Sequence, residues 1–393
     1  RVARDVGRLT YTQLLNSRGG IEADLTVARL AEDRFYIVTG TGFRTHDFGW
    51  IADHLPKTGV SFEDVTEGWG TLSLMGPLAR AILEAVTTDD VSNAGFPFGH
   101  VRVISIAGVA VRALRITYVG ELGWELHVPL AETGKVYDAL MAAGAPLGLR
   151  PVGYRALESL RLEKGYRAWS SDITPNDTPF EAGLGWAVKM RANTPFIGRP
   201  ALEAAAAKPL TKRLAGFTIA DPAAVLVGRE TILRNGVPVG YLTSGGYGYT
   251  LQRSIGYGYV RNADGVSDEF LRTGRYEIVV ASETFPAEIG LEPFPANIGA
   301  AIGCETLSLA QKPEPRHARK RDHIAPVIRL SETRHPPGTA DLVKLVAPLE
   351  WLDHPDQPVV CLQHIIQHRQ IARLEDLQRK PRPGQQERPG QRE

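Results

Sequence analysis

Two carboxylates, two arginines and a few aromatic rings carry the chemistry available to this chain. Asp24 follows a Gly-Gly turn in the run GGIEADLTV. On spacing alone, an acid at that point is either a hydrogen-bond acceptor for the turn or a general base. Glu125 stands seven residues after Tyr118 in YVGELGWE. In a strand, Glu125 and Leu126 face opposite sides of the sheet, so one points inward and the other outward. Arg155 and Arg161 each lie three residues from Glu158 on a helix opening at Pro151, where such ion pairs are ordinary surface features. Trp169, in YRAWSSDI, either walls a pocket or plugs the core. Trp186, in GLGWAVKM, leans to the core, and Glu181, in TPFEAGL, suits the backbone donors of the turn at Pro179. Cys361, His364 and His368 have ligand-like spacing on one helical face. They lack the fourth donor of a closed metal site, so the grouping is read as chance.

The elements that must position these residues follow from pattern. Arg8 to Leu15, a turn at Arg18-Gly19-Gly20 and Ile21 to Leu30 read as strand, turn, strand, and Arg34 to Thr39 as another strand. Thr45 to Leu55 predicts an amphipathic helix with Phe48, Ile51, Ala52 and Leu55 on one side. Thr71 to Met75 is a short strand, and Gly76-Pro77 opens the helix Leu78 to Val86. Val101 to Ile106 and Val109 to Tyr118 read as a hairpin around Gly108, Leu130 to Ala143 as a helix, and Pro151 to Glu163 as another. Beyond an alanine-rich boundary at Ala204 to Lys208 come short strands separated by Gly and Pro turns, including an Asn235-Gly236 hairpin signal. That spacing predicts a small antiparallel barrel. Strands and helices interleave without a βαβ rhythm, so the class is α+β. The Gly-rich run Gly240 to Val260 has no G-x-G-x-x-G opening a helix and suits barrel strands, not a dinucleotide loop.

The formal charge of +1 over 393 residues excludes an electrostatically driven nucleic-acid binder. No apolar run approaches the ~20 residues of a membrane span. The opening RVARDVGRLTYTQLL lacks a signal-peptide layout, and the chain is expected to begin inside a longer, cytoplasmic protein. Both cysteines lie in the last quarter, which leaves no thiol nucleophile or disulfide framework elsewhere. Residues 294–393 end in RKPRPGQQERPGQRE and are expected to be a disordered or frame-shifted tail, with marginal helices at Ala340–Leu352 and Val359–Leu374.

Several runs occur in a fixed order between Gly7 and Ile289: GGIEADLTVARL, SLMGPLAR, FPFG, RALRITYVGELGWELHVP, GYRALESLRLEKGYRAW and DITPNDTPFEAGLGWAVK. Together they resemble the aminomethyltransferase (glycine cleavage T-protein) superfamily. The wording is nearest its branch fused to dimethylglycine and sarcosine dehydrogenases, FAD-dependent oxidoreductases whose second half binds folate. The resemblance implies T-protein-like folate-binding domains of antiparallel sheets with flanking helices over residues 1–202, truncated at the N-terminus. It implies the matching C-terminal β-barrel over 203–293.

The implied activity is capture of the iminium or formaldehyde carbon from oxidative demethylation of dimethylglycine or sarcosine, giving 5,10-methylenetetrahydrofolate. Tetrahydrofolate is the implied cofactor, with FAD confined to an oxidase domain in the missing N-terminal half of the parent. Within that resemblance Asp24 is the catalytic base facing the folate nitrogens, where the T-protein usually has two adjacent aspartates and this chain has Ala23-Asp24. Glu125 and Tyr118 hold the pterin, Arg155 contacts folate, and Trp169 stands where a tyrosine is common. Two alternatives stay open: a glycine cleavage aminomethyltransferase, and a folate-binding module without turnover. The segment Lys164-Gly165-Tyr166-Arg167 lacks the cysteine of the superfamily's iron–sulfur branch.

Overall fold

The computed structural model describes residues 2–291 and the strand at 360–365. Strands β1 (Leu9–Leu15), β2 (Ile21–Arg29) and β3 (Phe35–Val38) form a three-stranded antiparallel sheet in sequence order. Helix α1 (Arg44–Asp53) follows. Its one buried residue is Asp47, and Ala52 is exposed, so the expected apolar stripe is not what seats the helix. Asp47 is held by the Thr39 hydroxyl and lies 2.8 Å from His46 Nδ1, which makes burial of the acid tolerable.

A second sheet has β4 (Trp69–Met75) near its middle, with helix α2 (Ala79–Glu84) after it. The hairpin β5 (Val101–Ile106) and β6 (Val109–Leu114) continues to β7 (Gly123–Pro129), which pairs with both β6 and β4. Helix α3 (Thr133–Gly144), strand β8 (Leu149–Pro151) and helix α4 (Tyr154–Glu163) complete this part. The predicted strand over Val109 to Tyr118 stops at Leu114. Thr117 Oγ1 accepts from the Val119 amide at 3.2 Å and Gly120 adopts φ +76°, so Tyr118 sits in a turn. Alternation splits the sheet cleanly. Leu72, Leu74, Trp124, Leu126 and Val128 are fully buried against α2 and α3 through Ile82, Leu83, Val136 and Leu140. Each such side chain contributes about 1.5–3 kcal/mol. Glu125 and His127 look the other way.

After helix α5 (Arg199–Ala206) the chain closes a six-stranded antiparallel barrel. Its strands are β9 (Lys212–Ile219), β10 (Thr231–Arg234), β11 (Val237–Gly248), β12 (Arg253–Arg261), β13 (Tyr276–Val280) and β14 (Glu283–Gly290), with helix α6 (Asp268–Thr273) before β13. Asn235 and Gly236 both take positive φ, +52° and +80°, the turn that the Asn-Gly pair predicts. Phe217, Ile232, Leu242, Val260 and Ile278 fill the barrel. The Gly-rich run lies in β11 and β12, two barrel strands.

Strand β15 (Val360–Ile365) inserts between β4, antiparallel, and β8, parallel. The helix expected from Val359 is a strand here because it satisfies both neighbouring edges, and such ladder pairing overrides helical spacing. The remainder of the expected disordered tail, with its Ala340–Leu352 helix and His368, lies outside the described residues. Among the described residues no helix is long and apolar enough to cross a membrane, and no cluster of metal-ligating side chains occurs.

Candidate active site between two sheets

The first carboxylate is set by a turn. Asn16 Oδ1 accepts from the Arg18 and Gly20 amides, both at 3.0 Å, while Asn16 Nδ2 donates to the Pro175 carbonyl at 3.0 Å. Gly20 has no room for a side chain, since a Cβ there would sit 1.9 Å from the Pro175 carbonyl oxygen. The turn therefore launches β2 in one register. Ile21, Ala23, Leu25 and Val27 are buried on one face, and Glu22, Asp24 and Thr26 line the other.

Asp24 sits directly across the ladder from Gln13 and accepts a hydrogen bond from Tyr11 Oη at 3.1 Å. The residue is half-buried, but its carboxyl is well desolvated. Burial raises its pKa from an ordinary 3.8 to about 6; the Tyr11 hydrogen bond opposes that rise and the nearby Asp47 charge adds to it. Burial, reinforced by Asp24, also drives the Tyr11 phenol well above its usual range, so Tyr11 remains a donor. Gln13 Nε2 is buried and makes no hydrogen bond of good geometry, although it is near enough to Tyr11 to favour the phenolate. Tyr11 stacks on Trp186 at 5.9 Å. The expectation that Trp186 leans to the core is corrected: it is 57 % exposed and roofs Tyr11 instead.

Around Asp24 lie further groups that sequence reasoning missed. His46 is 2.8 Å from Asp47 Oδ1 and 3.2 Å from Glu22 Oε1, and these acids, Asp47 foremost, raise its pKa. Trp169 Nε1 donates to the Ile21 carbonyl at 3.1 Å, with Phe43 edge-on at 4.6 Å and His46 at 5.6 Å. It also packs against the buried cluster that contains Leu15, Ile21 and Ile173, so it belongs to the core and to the wall beside β2. A cavity of about 340 Å³ runs beside β1, between Trp50, Ile51, Phe196 and Ile197, and reaches Gln13.

Glu125 occupies the other sheet. Its Oε2 is 3.7 Å from His127 Nε2, and Tyr36 Oη is 3.0 Å from His127 Nδ1. The Arg112 guanidinium lies over both Tyr36 and Trp69, 4.3 and 4.4 Å from the ring centres, a cation–π arrangement. The two carboxylate-bearing faces look at each other. Ala28 shares Asp24's face, Leu114 lies across from Glu125 in its ladder, and Ala28 and Leu114 meet in one core cluster. Tyr118 donates to the Arg167 carbonyl at 3.1 Å and stacks on Tyr166 at 6.1 Å. Its pKa is raised by burial; the Arg161 charge opposes that rise, and Glu158, Asp172 and, least, Asp24 add to it.

Arg155 stands apart, exposed on α4 and without an ion pair among the described residues. Glu158 pairs with Arg161 at 2.7 Å instead. Arg161, 3 % exposed, also binds Asp172, 1 % exposed, at 2.7 Å. Asp172 accepts from Ser244 Oγ at 2.5 Å and Thr243 Oγ1 at 2.6 Å, so this buried pair joins α4 and its following loop to the barrel.

Residues 1–192 match the GCVT N-terminal domain model, and residues 212–295 match the glycine cleavage T-protein C-terminal barrel domain. The aminomethyltransferase of Halothermothrix orenii is 35 % identical over 289 residues, covering 73 % of this chain and 78 % of that protein. The chain belongs to the aminomethyltransferase family. The structure of glycine cleavage system aminomethyltransferase T from Bartonella henselae superposes with a TM-score of 0.61 at 26 % identity, covering 74 % of this chain and 76 % of that one. Human mitochondrial sarcosine and dimethylglycine dehydrogenases are 41 % and 35 % identical, over 75 % and 73 % of this chain. The chain spans about a third of the length of these dehydrogenases (34 % and 33 %). The family expectation and the α+β fold with its closing barrel therefore stand, as does an aminomethyltransferase-like domain homologous to enzymes. The expected cytoplasmic location is corrected, because these dehydrogenase relatives are mitochondrial proteins.

Proposed function

We propose that this chain receives the one-carbon unit released by oxidative demethylation of an N-methylated glycine, sarcosine or dimethylglycine, and passes it to tetrahydrofolate as 5,10-methylenetetrahydrofolate. The observation that carries this reading is Asp24, a desolvated carboxylate near pKa 6, backed by Tyr11 and facing the sheet that bears Glu125. The residues fit a reduced pterin: two carboxylates on facing sheets, and a buried Gln13 amide directly across the ladder from one of them. Bound tetrahydrofolate would supply nucleophilic ring nitrogens. Asp24 is ionised at neutral pH yet basic enough to take the proton that an attacking amine must shed. Its negative charge then offsets the positive charge developing on that nitrogen. Glu125 is suited to two parallel N–H bonds from an aminopyrimidine edge. Tyr118 and Trp169 offer flat walls of low entropy cost, and the exposed Arg155 would meet an anionic group from the solvent side.

In this reading residues 1–202 hold folate and 203–293 buttress it through the Arg161–Asp172 pair. The flavin that oxidises the methyl group belongs to an oxidase module of a longer parent chain. Higher identity to the sarcosine dehydrogenase than to the aminomethyltransferase, 41 % against 35 %, supports this branch over glycine cleavage. Calorimetric titration of the full chain with tetrahydrofolate tests the reading. Micromolar binding that Glu125→Ala weakens by about tenfold or more is the expected result, given ~1.5–3 kcal/mol for a charged hydrogen bond. A folded wild-type chain that binds no tetrahydrofolate would end it.

A further inference from the structure

Glu125 has a neighbour whose environment is unusual. His127, two residues along β7 on the same face, is 3 % exposed, and among the described residues its Nε2 makes no hydrogen bond within normal reach. That nitrogen lies 3.7 Å from Glu125 Oε2. The other ring nitrogen, Nδ1, is 3.0 Å from Tyr36 Oη, and the two rings meet edge to face at 82°. Tyr36 comes from the opposite sheet, on β3, and the Arg112 guanidinium lies 4.3 Å from its ring centre and 4.4 Å from that of Trp69. Burial raises the Tyr36 pKa, so the phenol keeps its proton.

Resting on the folate reading above, we propose that His127 is a positioning residue for Glu125, fixed in one tautomer by Tyr36. With Tyr36 donating into Nδ1, the ring hydrogen is on Nε2, a buried donor 3.7 Å from Glu125 Oε2. A carboxylate that must accept two parallel N–H bonds from a pterin edge works only if its plane is fixed. Rotation of the Glu125 carboxyl brings Oε2 onto Nε2–H and leaves Oε1 and the remaining lone pair of Oε2 for the ligand. Tyr36 and His127 thus form a chain of donors that crosses from one sheet to the other and ends at the accepting carboxylate of Glu125.

The two amide isosteres of histidine separate this role from a packing role. His127→Gln places an amide nitrogen where Nε2 lies, while His127→Asn reaches only to Nδ1. Titration of the full chain with tetrahydrofolate should show His127→Asn raising Kd about ten- to thirtyfold, with His127→Gln staying within about threefold. In a Glu125→Ala background, His127→Asn should cost nothing more. Tyr36→Phe, which removes the donor into Nδ1 and keeps the ring, should weaken binding a few-fold, about the loss of one neutral hydrogen bond. Binding of p-aminobenzoylglutamate, which has no pterin, should be unchanged in every variant. Equal losses for His127→Asn and His127→Gln, or the same loss with and without Glu125, would overturn the role of His127 while leaving folate binding intact. If Glu125→Ala binds as the wild type does, the assignment of Glu125 fails and this inference fails with it.

Discussion

Gln13 and Asp24 face each other across the β1–β2 ladder, and Tyr11, two residues back along β1, donates its hydroxyl to the Asp24 carboxylate at 3.1 Å. That bond opposes burial, the larger influence on Asp24. Removing it with Tyr11→Phe should therefore raise the Asp24 pKa further above 6, by about one pH unit for a hydrogen bond to a charged acceptor. The acid limb of the pH–rate profile for formaldehyde capture onto tetrahydrofolate should move upward with it. An unmoved limb would mean that Asp24 is not the base whose ionisation governs the rate.

Asp24→Asn should reduce capture by ~10²–10⁴-fold, the usual worth of a general base. The same change should stabilise the fold at neutral pH. Because the folded-state pKa of Asp24 is raised, its contribution is fully present below an ordinary 3.8 and is lost as pH rises through about 6. The wild type thus gives up as much as ~3 kcal/mol by pH 8 that the amide variant retains. Urea denaturation of both proteins at pH 4 and pH 8 reads the difference directly: the gap should widen in favour of Asn at the higher pH.

How much of this site the sequence displayed depends on the range of the interaction. Asp24 and Glu125 are visible because a local motif surrounds each one. The Tyr11–Asp24 bond is invisible, because it is set by strand register, and so is the approach of Tyr36 to His127 from another sheet. Asp47 reads as a solvated position on a helix whose apolar side would face inward; a threonine from the end of β3 and a neighbouring histidine reverse that. Tyr118 reads as strand since Ile116, Tyr118 and Val119 are β-formers, yet Thr117 and Gly120 close a turn around it. Trp186 shows the opposite failure. A large apolar ring is expected inward, but stacking on Tyr11 keeps it at the surface.

Gly20→Ala tests whether the turn sets the site. The new methyl would lie 1.9 Å from the Pro175 carbonyl oxygen, and backbone cannot yield cheaply. Destabilisation of about 1–3 kcal/mol is expected from overpacking, together with lost capture activity, because β2 carries Asp24 away from Tyr11. Gly59→Ala is no control, since its positive φ strains it; Gly134→Ala, in open space on α3, is one. It should leave melting temperature and activity as they are.

Asp172→Ala should damage stability more than any change at the carboxylates. Arg161 would keep Glu158 but lose its fully buried partner at 2.7 Å, and Ser244 and the Ala168 amide would lose their acceptor. Breaking a buried pair from one side typically costs 3–5 kcal/mol. The expected sign in urea melts is a large fall in midpoint, with the loop around Trp169 and the barrel uncoupling from α4 as proteolysis sites.

Arg155 gives the sharpest contrast between binding and stability. It is exposed on α4 with no ion pair among the described residues, whereas Arg161, nearly two turns on, is buried in the network just described. Arg155→Ala should therefore leave the urea midpoint within the ~0.5 kcal/mol typical of surface changes. If the exposed guanidinium meets an anionic part of the ligand, the same variant should raise the Kd for tetrahydrofolate by about tenfold. That loss should shrink at high salt, because an exposed charge pair is screened over ~10 Å at 0.1 M ionic strength. A binding curve that coincides with the wild type at low salt would remove Arg155 from the site and leave the recognition to Glu125, Tyr118 and the walls beside Asp24.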